Sequence, residues 1–162
     1  MDLTRIRIGQ GYDVHRFRAD RPLRLCGVEL TGEVGLAGHS DADVALHALT
    51  DAILGALAAG DLGELFPPSD ERWQNADSSL FLGRALELAA DRGLAVVNCD
   101  LTIVGERPRI GPHRPRLRQH LAELLDVEIE AVSVKATTTE GLGFEGRREG
   151  LAALAVVLLA AP

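Results

Sequence analysis

Hydrophobic residues near the N-terminus recur at every second position. Ile6 and Ile8 are followed by Tyr12 and Val14, with glycines between the two pairs. A period of two predicts a β-strand, and the glycines indicate a local irregularity within it. A second short strand is predicted over residues 23–30, followed by a loop over 32–38.

A long apolar run predicts a helix from about Ser40 to Gly60. Ser40 followed three residues later by Asp43 resembles a capping box, which marks a helix N-terminus. The residues that follow are mostly Ala, Leu, Val and Ile, so this helix should be buried nearly all round. Further helices are predicted over 79–91 and 115–125, and further strands over 94–104, 132–136 and 151–161. The last strand is wholly apolar, which predicts burial on both of its faces.

Three irregular segments, 61–77, 108–115 and 137–150, separate these elements. The first of these is unusually long, and loops of that length in compact domains are more often functional than not. Because strands and helices alternate, we expect an α/β fold of the α+β type, with a mixed β-sheet and helices packed on one face. The 162 residues fit a single domain spanning 1–162.

Composition narrows the classes of partner. The net charge of −7 argues against binding to nucleic acid or to an anionic membrane, because both require a basic surface. The apolar C-terminal run is too short to span a bilayer. No signal peptide is visible, and Cys26 and Cys99 are expected to be buried thiols in a reducing compartment. These features predict a cytoplasmic protein.

A first candidate site is the pair Asp13 and His15. Residues two apart on a strand share a face, so these side chains point the same way while Val14 is expected to point into the core. A carboxylate and an imidazole in this arrangement can bind one divalent metal, although a solvated surface pair has the same spacing.

A second candidate lies on the long predicted helix. Asp43, His47 and either Thr50 or Asp51 form a polar stripe on an otherwise apolar surface. Buried polar groups need partners, which here are either a metal or anionic ligand or an internal hydrogen-bond network.

Together the two segments offer Asp13, His15 and His47. Two imidazoles and one carboxylate suit a catalytic zinc ion with its fourth position open, and iron(II) or manganese can use the same ligands. His113 and His120 lack such a pattern and are interpreted as surface or structural residues.

A third candidate is the threonine-rich segment that follows the strand over 132–136. Thr137, Thr138 and Thr139 precede Glu140 and several glycines. Hydroxyl and backbone N–H groups in such a loop can bind phosphate, and Glu140 can hold a hard cation such as magnesium. Threonine is also common in strands for reasons of β-propensity alone.

Taken together, four segments closely resemble the 2-C-methyl-D-erythritol 2,4-cyclodiphosphate synthase family. They are GQGYDVHRF at 9–17, HSDADVALH at 39–47, DLGELFP at 61–67 and TTTE at 137–140. The resemblance extends over essentially the whole chain. It implies a homotrimer whose sheets face a three-fold axis, with active sites between neighbouring subunits. At this length we expect no fused cytidylyltransferase domain.

The resemblance also implies roles for individual residues. Asp13, His15 and His47 match the zinc ligands, and Glu140 matches the carboxylate associated with a second cation, Mg²⁺ or Mn²⁺. His39 and Thr138 match catalytic residues that stabilise the transition state. The positions that match substrate contacts include Asp13, Val14, His15 and His39. They also include Ser40, Asp61, Leu62, Gly63, Phe66, Pro67, Pro68, Ser69 and Asp70 on the methylerythritol phosphate side, Gly105, Glu106, Arg107, Pro108, Arg109, Ile110, Gly111, Thr137, Thr138, Thr139 and Glu140 around the cytidine and diphosphate, and Phe144 and Arg147 near the axis, where some members hold an isoprenoid diphosphate.

The reaction that the resemblance implies is intramolecular. The 2-phosphate of 4-diphosphocytidyl-2-C-methyl-D-erythritol 2-phosphate attacks the β-phosphorus, and CMP leaves. On this hypothesis the helix starting near Ser40 offers free N–H groups to the 2-phosphate. The alternatives are a metallohydrolase that activates water at the same triad, and a trimeric module that binds isoprenoid diphosphates without catalysis.

Overall fold

The computed structural model describes residues 5–162, and these form seven strands and five α-helices. The strands are β1 (Arg7–Arg18), β2 (Leu23–Leu25), β3 (Val28–Leu30), β4 (Gly35–Leu36), β5 (Ala95–Val104), β6 (Val132–Thr137) and β7 (Gly150–Ala160). The helices are α1 (Val44–Ala56), α2 (Leu62–Leu65), α3 (Ser78–Asp91), α4 (Arg114–Leu125) and α5 (Gly143–Gly146), with single 3₁₀ turns at Glu71–Trp73 and Ile129–Ala131.

Five strands form one mixed sheet in the order β4-β1-β7-β5-β6. The β5–β6 pair is parallel, and the other neighbours are antiparallel. Strands β2 and β3 form a separate hairpin. The expected mixed sheet is therefore confirmed.

Helix α1 lies against β1 and β7 at the centre of the molecule. Gly9 and Gly11 face this helix, and a Cβ atom at either position would overlap the backbone carbonyl of Ala52 or of Ala48. The glycines therefore allow the helix axis to approach the strand closely. Because Asp13 and His15 continue the same face of β1, this approach brings them near α1.

The opposite face of the sheet is largely uncovered in the single chain. Ile8 is 70% exposed and Tyr12 52% exposed on β1, and Val156 on β7 is 45% exposed. Register places Val156 opposite Gln10, between the positions of Ile8 and Tyr12, so the three apolar side chains are close neighbours. The sequence prediction that the last strand is buried on both faces is wrong for the single chain, because no helix formed by residues 5–162 covers this side.

Three predicted boundaries also differ from the structure. The central helix begins at Val44, with Asp43 as its N-cap, and not near Ser40. The strand predicted over 23–30 is a hairpin that turns at Cys26 and Gly27, both of which have positive φ. The irregular segments 61–77 and 137–150 contain the short helices α2 and α5.

Candidate active site

Strand β1 and helix α1 bring three potential metal ligands together. Asp13 Oδ2 lies 2.9 Å from His15 Nε2 and 3.0 Å from His47 Nδ1. The two ring nitrogens are 3.1 Å apart. Among the described residues, this is the group of three or more His, Cys, Asp or Glu side chains arranged to hold a metal ion. The sequence prediction that these side chains meet is confirmed.

The donor set and its geometry fit a divalent metal. Metal–ligand distances of about 2.0–2.2 Å in a tetrahedral site separate the ligand atoms by roughly 3.3 Å. The three ligand atoms form a triangle close to that size, and the side chains are mostly buried, at 26%, 16% and 9% exposed for Asp13, His15 and His47. Two imidazoles and one carboxylate leave the fourth position for a ligand from outside the chain.

Each imidazole makes a second contact with the ring nitrogen that points away from the triangle. His15 Nδ1 lies 2.6 Å from the carbonyl oxygen of Ala37 and therefore donates to it. His47 Nε2 lies near the hydroxyls of Ser40 and Ser78. Such contacts are the usual way in which metal-binding histidines are held in one tautomer and orientation.

Contacts within the triangle shift the pKa values of Asp13 and His15. Burial opposes ionisation of Asp13, but the hydrogen bonds and charges of His15 and His47 outweigh it and lower its pKa well below the ordinary value. Burial likewise opposes a charged His15, while its hydrogen bond with Asp13 raises its pKa above the ordinary value. Asp13 is thus a carboxylate at neutral pH, the form that binds a metal.

The rest of the predicted polar stripe on α1 is structural. The carboxylate of Asp43 is fully buried and accepts hydrogen bonds from the backbone N–H groups of Cys26, Gly27, Ala45 and Leu46. Thr50 donates to the Leu46 carbonyl, and Asp51 accepts from the N–H of Leu62. Both interpretations of the stripe therefore apply, but to different residues. Asp43, Thr50 and Asp51 make internal hydrogen bonds, whereas His47 belongs to the candidate metal site.

The loop before α1 carries His39, whose side chain is exposed. Arg21 donates to the carbonyl oxygens of Gly38, at 2.7 Å, and of Ser40, at 2.5 Å. The carbonyl between them, that of His39, accepts from the N–H of Asn75 at 2.8 Å. Three successive carbonyls are thus fixed. The position of Arg21 beside this loop gave no signal in the sequence.

A largely apolar cavity of about 250 Å³ opens beside the triad. Its wall includes the predicted substrate residues Leu62, Gly63, Phe66 and Pro68, together with His39 and Ser40. Trp73 and Phe81 complete it, and the rings of Phe66, Trp73 and Phe81 pack against one another in tilted and edge-to-face pairs, with centroids 4.6–5.8 Å apart. Sequence reasoning missed Trp73 and Phe81, because their contribution depends on the folding of 61–77 back onto α3.

Other predicted substrate residues lie around this cavity or already have partners. Asp61 caps α2, and Asp70 caps the 3₁₀ turn while pairing with Arg72 at 2.6 Å. Pro67 is half-buried and Ser69 exposed. Their contacts with substrate remain predictions.

The second group of predicted substrate residues lies in two adjacent loops. The N–H of Gly105 donates to the carbonyl of Thr137, which joins the loop after β5 to the loop after β6. Thr138 donates to Glu140 at 3.2 Å, and both are exposed. Arg107 lies over the Phe17 ring, Arg109 and Gly111 are exposed, and Glu106 is half-buried, whereas the side chains of Pro108 and Ile110 are buried, which leaves only their backbone for a ligand.

Thr138 and Glu140 do not reach the triad cavity of their own chain. A larger cavity, of about 600 Å³, also includes His15 in its wall and is lined by Val14, Arg16, Phe17, Phe144 and Glu149. Neither cavity, as formed by residues 5–162, has Thr138, Thr139 or Glu140 in its wall. Arg147 is exposed and pairs with Glu149 at 2.8 Å.

The remaining predictions concern the other histidines, the two cysteines and membrane-spanning segments. His120 lies 3.6 Å from Glu123 on α4, and His113 precedes that helix, so neither lies at the triad. Cys26 and Cys99 are buried free thiols. No helix within 5–162 is both long enough and apolar enough to cross a membrane.

Comparison with known proteins identifies the family of the chain. The sequence model of the YgbB family matches residues 6–160. The chain belongs to the YgbB family. Curated relatives include the bifunctional enzyme IspD/IspF of Hyphomonas neptunium, which is 60% identical over 153 residues, and that of Granulibacter bethesdensis, which is 56% identical over 156. The match covers 94% and 96% of this chain but 40% and 42% of those proteins, so the chain spans about two fifths of their length.

Solved structures of the family share the fold. The bifunctional IspDF of Campylobacter jejuni superposes with a TM-score of 0.92 at 42% identity, over 97% of this chain and 42% of that chain. A 2C-methyl-D-erythritol-2,4-cyclodiphosphate synthase in its CDP-bound form superposes with a TM-score of 0.87 at 42% identity, over 94% of this chain and 99% of the other. These similarities confirm the resemblance and the fold class predicted from the sequence.

Proposed function

We propose that the chain converts 4-diphosphocytidyl-2-C-methyl-D-erythritol 2-phosphate to 2-C-methyl-D-erythritol 2,4-cyclodiphosphate with release of CMP. The observation that carries the proposal is the Asp13–His15–His47 triangle beside a cavity, in a YgbB-family chain that superposes on a CDP-bound cyclodiphosphate synthase over nearly all of its length. The enzyme would be a cyclising phosphorus–oxygen lyase of the non-mevalonate route to isoprenoid precursors, acting in the cytoplasm. We treat 1–162 as one catalytic domain.

Asp13, His15 and His47 would hold a divalent metal, with zinc favoured by the donor set. When bound, such an ion polarises a phosphoryl oxygen and offsets the charge that develops on it. Glu140 would hold a second cation, Mg²⁺ or Mn²⁺, which would offset negative charge of the diphosphate. With a chain charge of −7, the charge of the substrate has to be offset locally.

The residues of the chain mainly position the two reacting ends. An oxygen of the 2-phosphate forms a bond to the β-phosphorus while the bond from that phosphorus to the oxygen of CMP breaks. Because the attacking oxygen is anionic near neutral pH, no strong base is required, and holding the two groups in line supplies most of the rate. His39 and Thr138 would donate hydrogen bonds to the oxygens on which charge builds.

One part of the sequence-based mechanism requires correction. The N–H groups of Ala45 and Leu46 at the start of α1 already donate to Asp43. They are therefore not free to bind the 2-phosphate. The Ser40 hydroxyl, which lies at the edge of the triad cavity, is the nearer candidate for that contact.

A homotrimer would complete the site. The uncovered sheet face exposes Ile8, Tyr12 and Val156, and exposed apolar side chains that lie close together favour contact with a partner surface. Thr138 and Glu140 lie outside the triad cavity of their own chain, and a neighbouring subunit would supply them to it. Phe144 and Arg147 would then lie near the axis, where an isoprenoid diphosphate could bind.

Incubation with the cytidyl substrate separates this proposal from its alternatives. Production of CMP and the cyclic diphosphate in equal amounts supports it. Release of inorganic phosphate would instead indicate a metallohydrolase. Tight binding of isoprenoid diphosphate without turnover in the zinc-loaded protein would indicate a binding module, and either result would overturn the proposal.

A further inference from the structure

The His47 ring contacts two serine hydroxyls on the side remote from Asp13. Nε2 lies 2.9 Å from Ser78 Oγ and 3.1 Å from Ser40 Oγ. Both serines are buried, and Ser78 is fully so, at the start of α3. The two hydroxyls differ in their other hydrogen-bond partners.

The Ser78 hydroxyl is fixed in direction by Asp41. It hydrogen-bonds to Asp41 Oδ1, and the Ser78 backbone N–H donates to Asp41 Oδ2 at 3.1 Å. A carboxylate only accepts, so the single hydroxyl proton of Ser78 points to Asp41. Its lone pairs are then the part that faces His47, and the contact requires a proton on His47 Nε2.

Asp41 is itself held in place by neighbouring groups. The N–H of Asp43 donates to Oδ1 at 3.2 Å, and Arg24 lies 3.8 Å from Oδ2. The Asp41 N–H donates to the Ala76 carbonyl, which anchors the residue to the segment before α3. With its side chain 12% exposed, Asp41 therefore faces the start of α3 in a fixed orientation.

We propose that Asp41 and Ser78 form a relay that sets the tautomer and orientation of His47. With the proton held on Nε2, the Nδ1 lone pair is directed at the triangle with Asp13 and His15, where a metal binds. Asp41 and Ser78 are thus positioning residues that act through His47. The orientation of His15 is set differently, by its hydrogen bond to the Ala37 carbonyl.

Ser40 provides an internal contrast. Its hydroxyl accepts from the N–H of Ala42 at 3.3 Å, and among residues 5–162 no carboxylate hydrogen-bonds to it. Its own proton is free to point into the cavity, so Ser40 does not fix the tautomer of His47. Two serines at similar distances from one nitrogen therefore have different effects.

The test is the zinc affinity of the purified protein, measured by competition with a chromophoric chelator. Ser78→Ala and Asp41→Asn should each weaken zinc binding by about 10–100-fold, as loss of partners behind metal ligands usually does. The matched variant Ser40→Ala should change it by less than about threefold, because no carboxylate backs that hydroxyl. The double variant Ser78→Ala/Asp41→Asn should lose no more than the worse single variant, because the two residues act as one unit.

A spectroscopic signal separates positioning from general stability. The zinc-loaded parent should show a slowly exchanging His47 Nε2–H proton in NMR spectra, and Ser78→Ala should shift it upfield and speed its exchange. Ser78→Thr, which keeps the hydroxyl, should restore both the resonance and the affinity. Thermal unfolding of every variant checks the fold.

Two results would overturn the relay. One is Ser40→Ala weakening zinc as much as Ser78→Ala does, and the other is parental zinc affinity in both Ser78→Ala and Asp41→Asn. The inference rests on the metal site of the proposed function. Either result would leave zinc binding and CMP release by the parent protein untouched, so the two failures are distinguishable.

Discussion

At the residue scale, the proposed chemistry depends on a few side chains. Contacts from several strands, helices and loops hold these side chains in position. Asp13 and His15 were predictable as a pair, because strand periodicity alone places them on one face. His47 was predictable as a third ligand of suitable chemistry. Its distance from β1 was not predictable, because that distance depends on how α1 packs on the strand. Ser78 and Arg21 were not predicted as contributors, because their contacts reach the site from segments distant in sequence. Asp41 was missed because it acts through Ser78, which lies 37 residues away along the chain.

Thr138 tests the stabilisation of developing charge. Its hydroxyl is exposed and bonded only weakly to Glu140, so a ligand can replace that contact. Thr138→Ala should lower kcat by about 10²–10³-fold, as removal of a transition-state donor does. Thr138→Ser keeps the donor and should retain most of the rate. An unchanged kcat in Thr138→Ala under steady-state assay would remove Thr138 from the mechanism.

Arg21 tests whether the backbone around His39 must be fixed. Arg21→Met frees the Gly38 and Ser40 carbonyls, and a small displacement of a catalytic group can cost up to about 10²-fold in rate. We expect kcat to fall by about 10–100-fold while zinc content stays at the parental level. Arg18→Met is the matched control, because the exposed Arg18 pairs only with its neighbour Asp20. Equal kcat values for the two variants would contradict the role of Arg21.

At the element scale, the site depends on the close approach of α1 to β1. The alternating glycines on β1 look like irregularities in the sequence, whereas in the structure they are the contact surface for the helix. The helix start was mispredicted because Ser40 and Asp43 are both favourable caps. The choice was decided by a non-local contact, since Asp43 also accepts from Cys26 and Gly27 of the β2–β3 hairpin.

Gly11→Ala tests this approach. The added methyl group overlaps the Ala48 carbonyl, and overpacking of this kind costs about 1–3 kcal/mol or more of unfolding free energy. Zinc affinity should also fall, because β1 and α1 carry different ligands. Gly83→Ala on α3 meets nothing within 4 Å and should be neutral or stabilise the protein by up to about 1 kcal/mol. Chemical denaturation would measure both, and parental stability and zinc affinity in Gly11→Ala would refute the packing argument.

At the scale of the whole molecule, one sheet face and one loop lack partners in the single chain. An apolar final strand was predictable, but whether its second face is covered by a helix or by another subunit was not. The exposed Val156 lies near the centre of this face. The proposed homotrimer would also account for the separation of Thr138 and Glu140 from the triad cavity of their own chain.

Val156→Asp tests the assembly. A buried unpaired charge in an interface is strongly unfavourable, so the proposed trimer should become a monomer in light scattering. Turnover should be lost, because the loop over 137–140 no longer reaches a neighbouring triad. Leu80→Asp, on the exposed side of α3, is the control and should remain trimeric and active. A Val156→Asp protein that stays trimeric, or a monomer that stays fully active, would contradict the shared site.

The central claim is that Asp13, His15 and His47 bind one divalent metal. Crystals of the zinc-loaded protein, measured on both sides of the zinc absorption edge, test it most directly. We expect one anomalous peak about 2.0–2.2 Å from Asp13 Oδ2, His15 Nε2 and His47 Nδ1, and its loss in crystals of His47→Ala. A zinc peak that lies on other residues, or that persists at full height in His47→Ala, would contradict the claim.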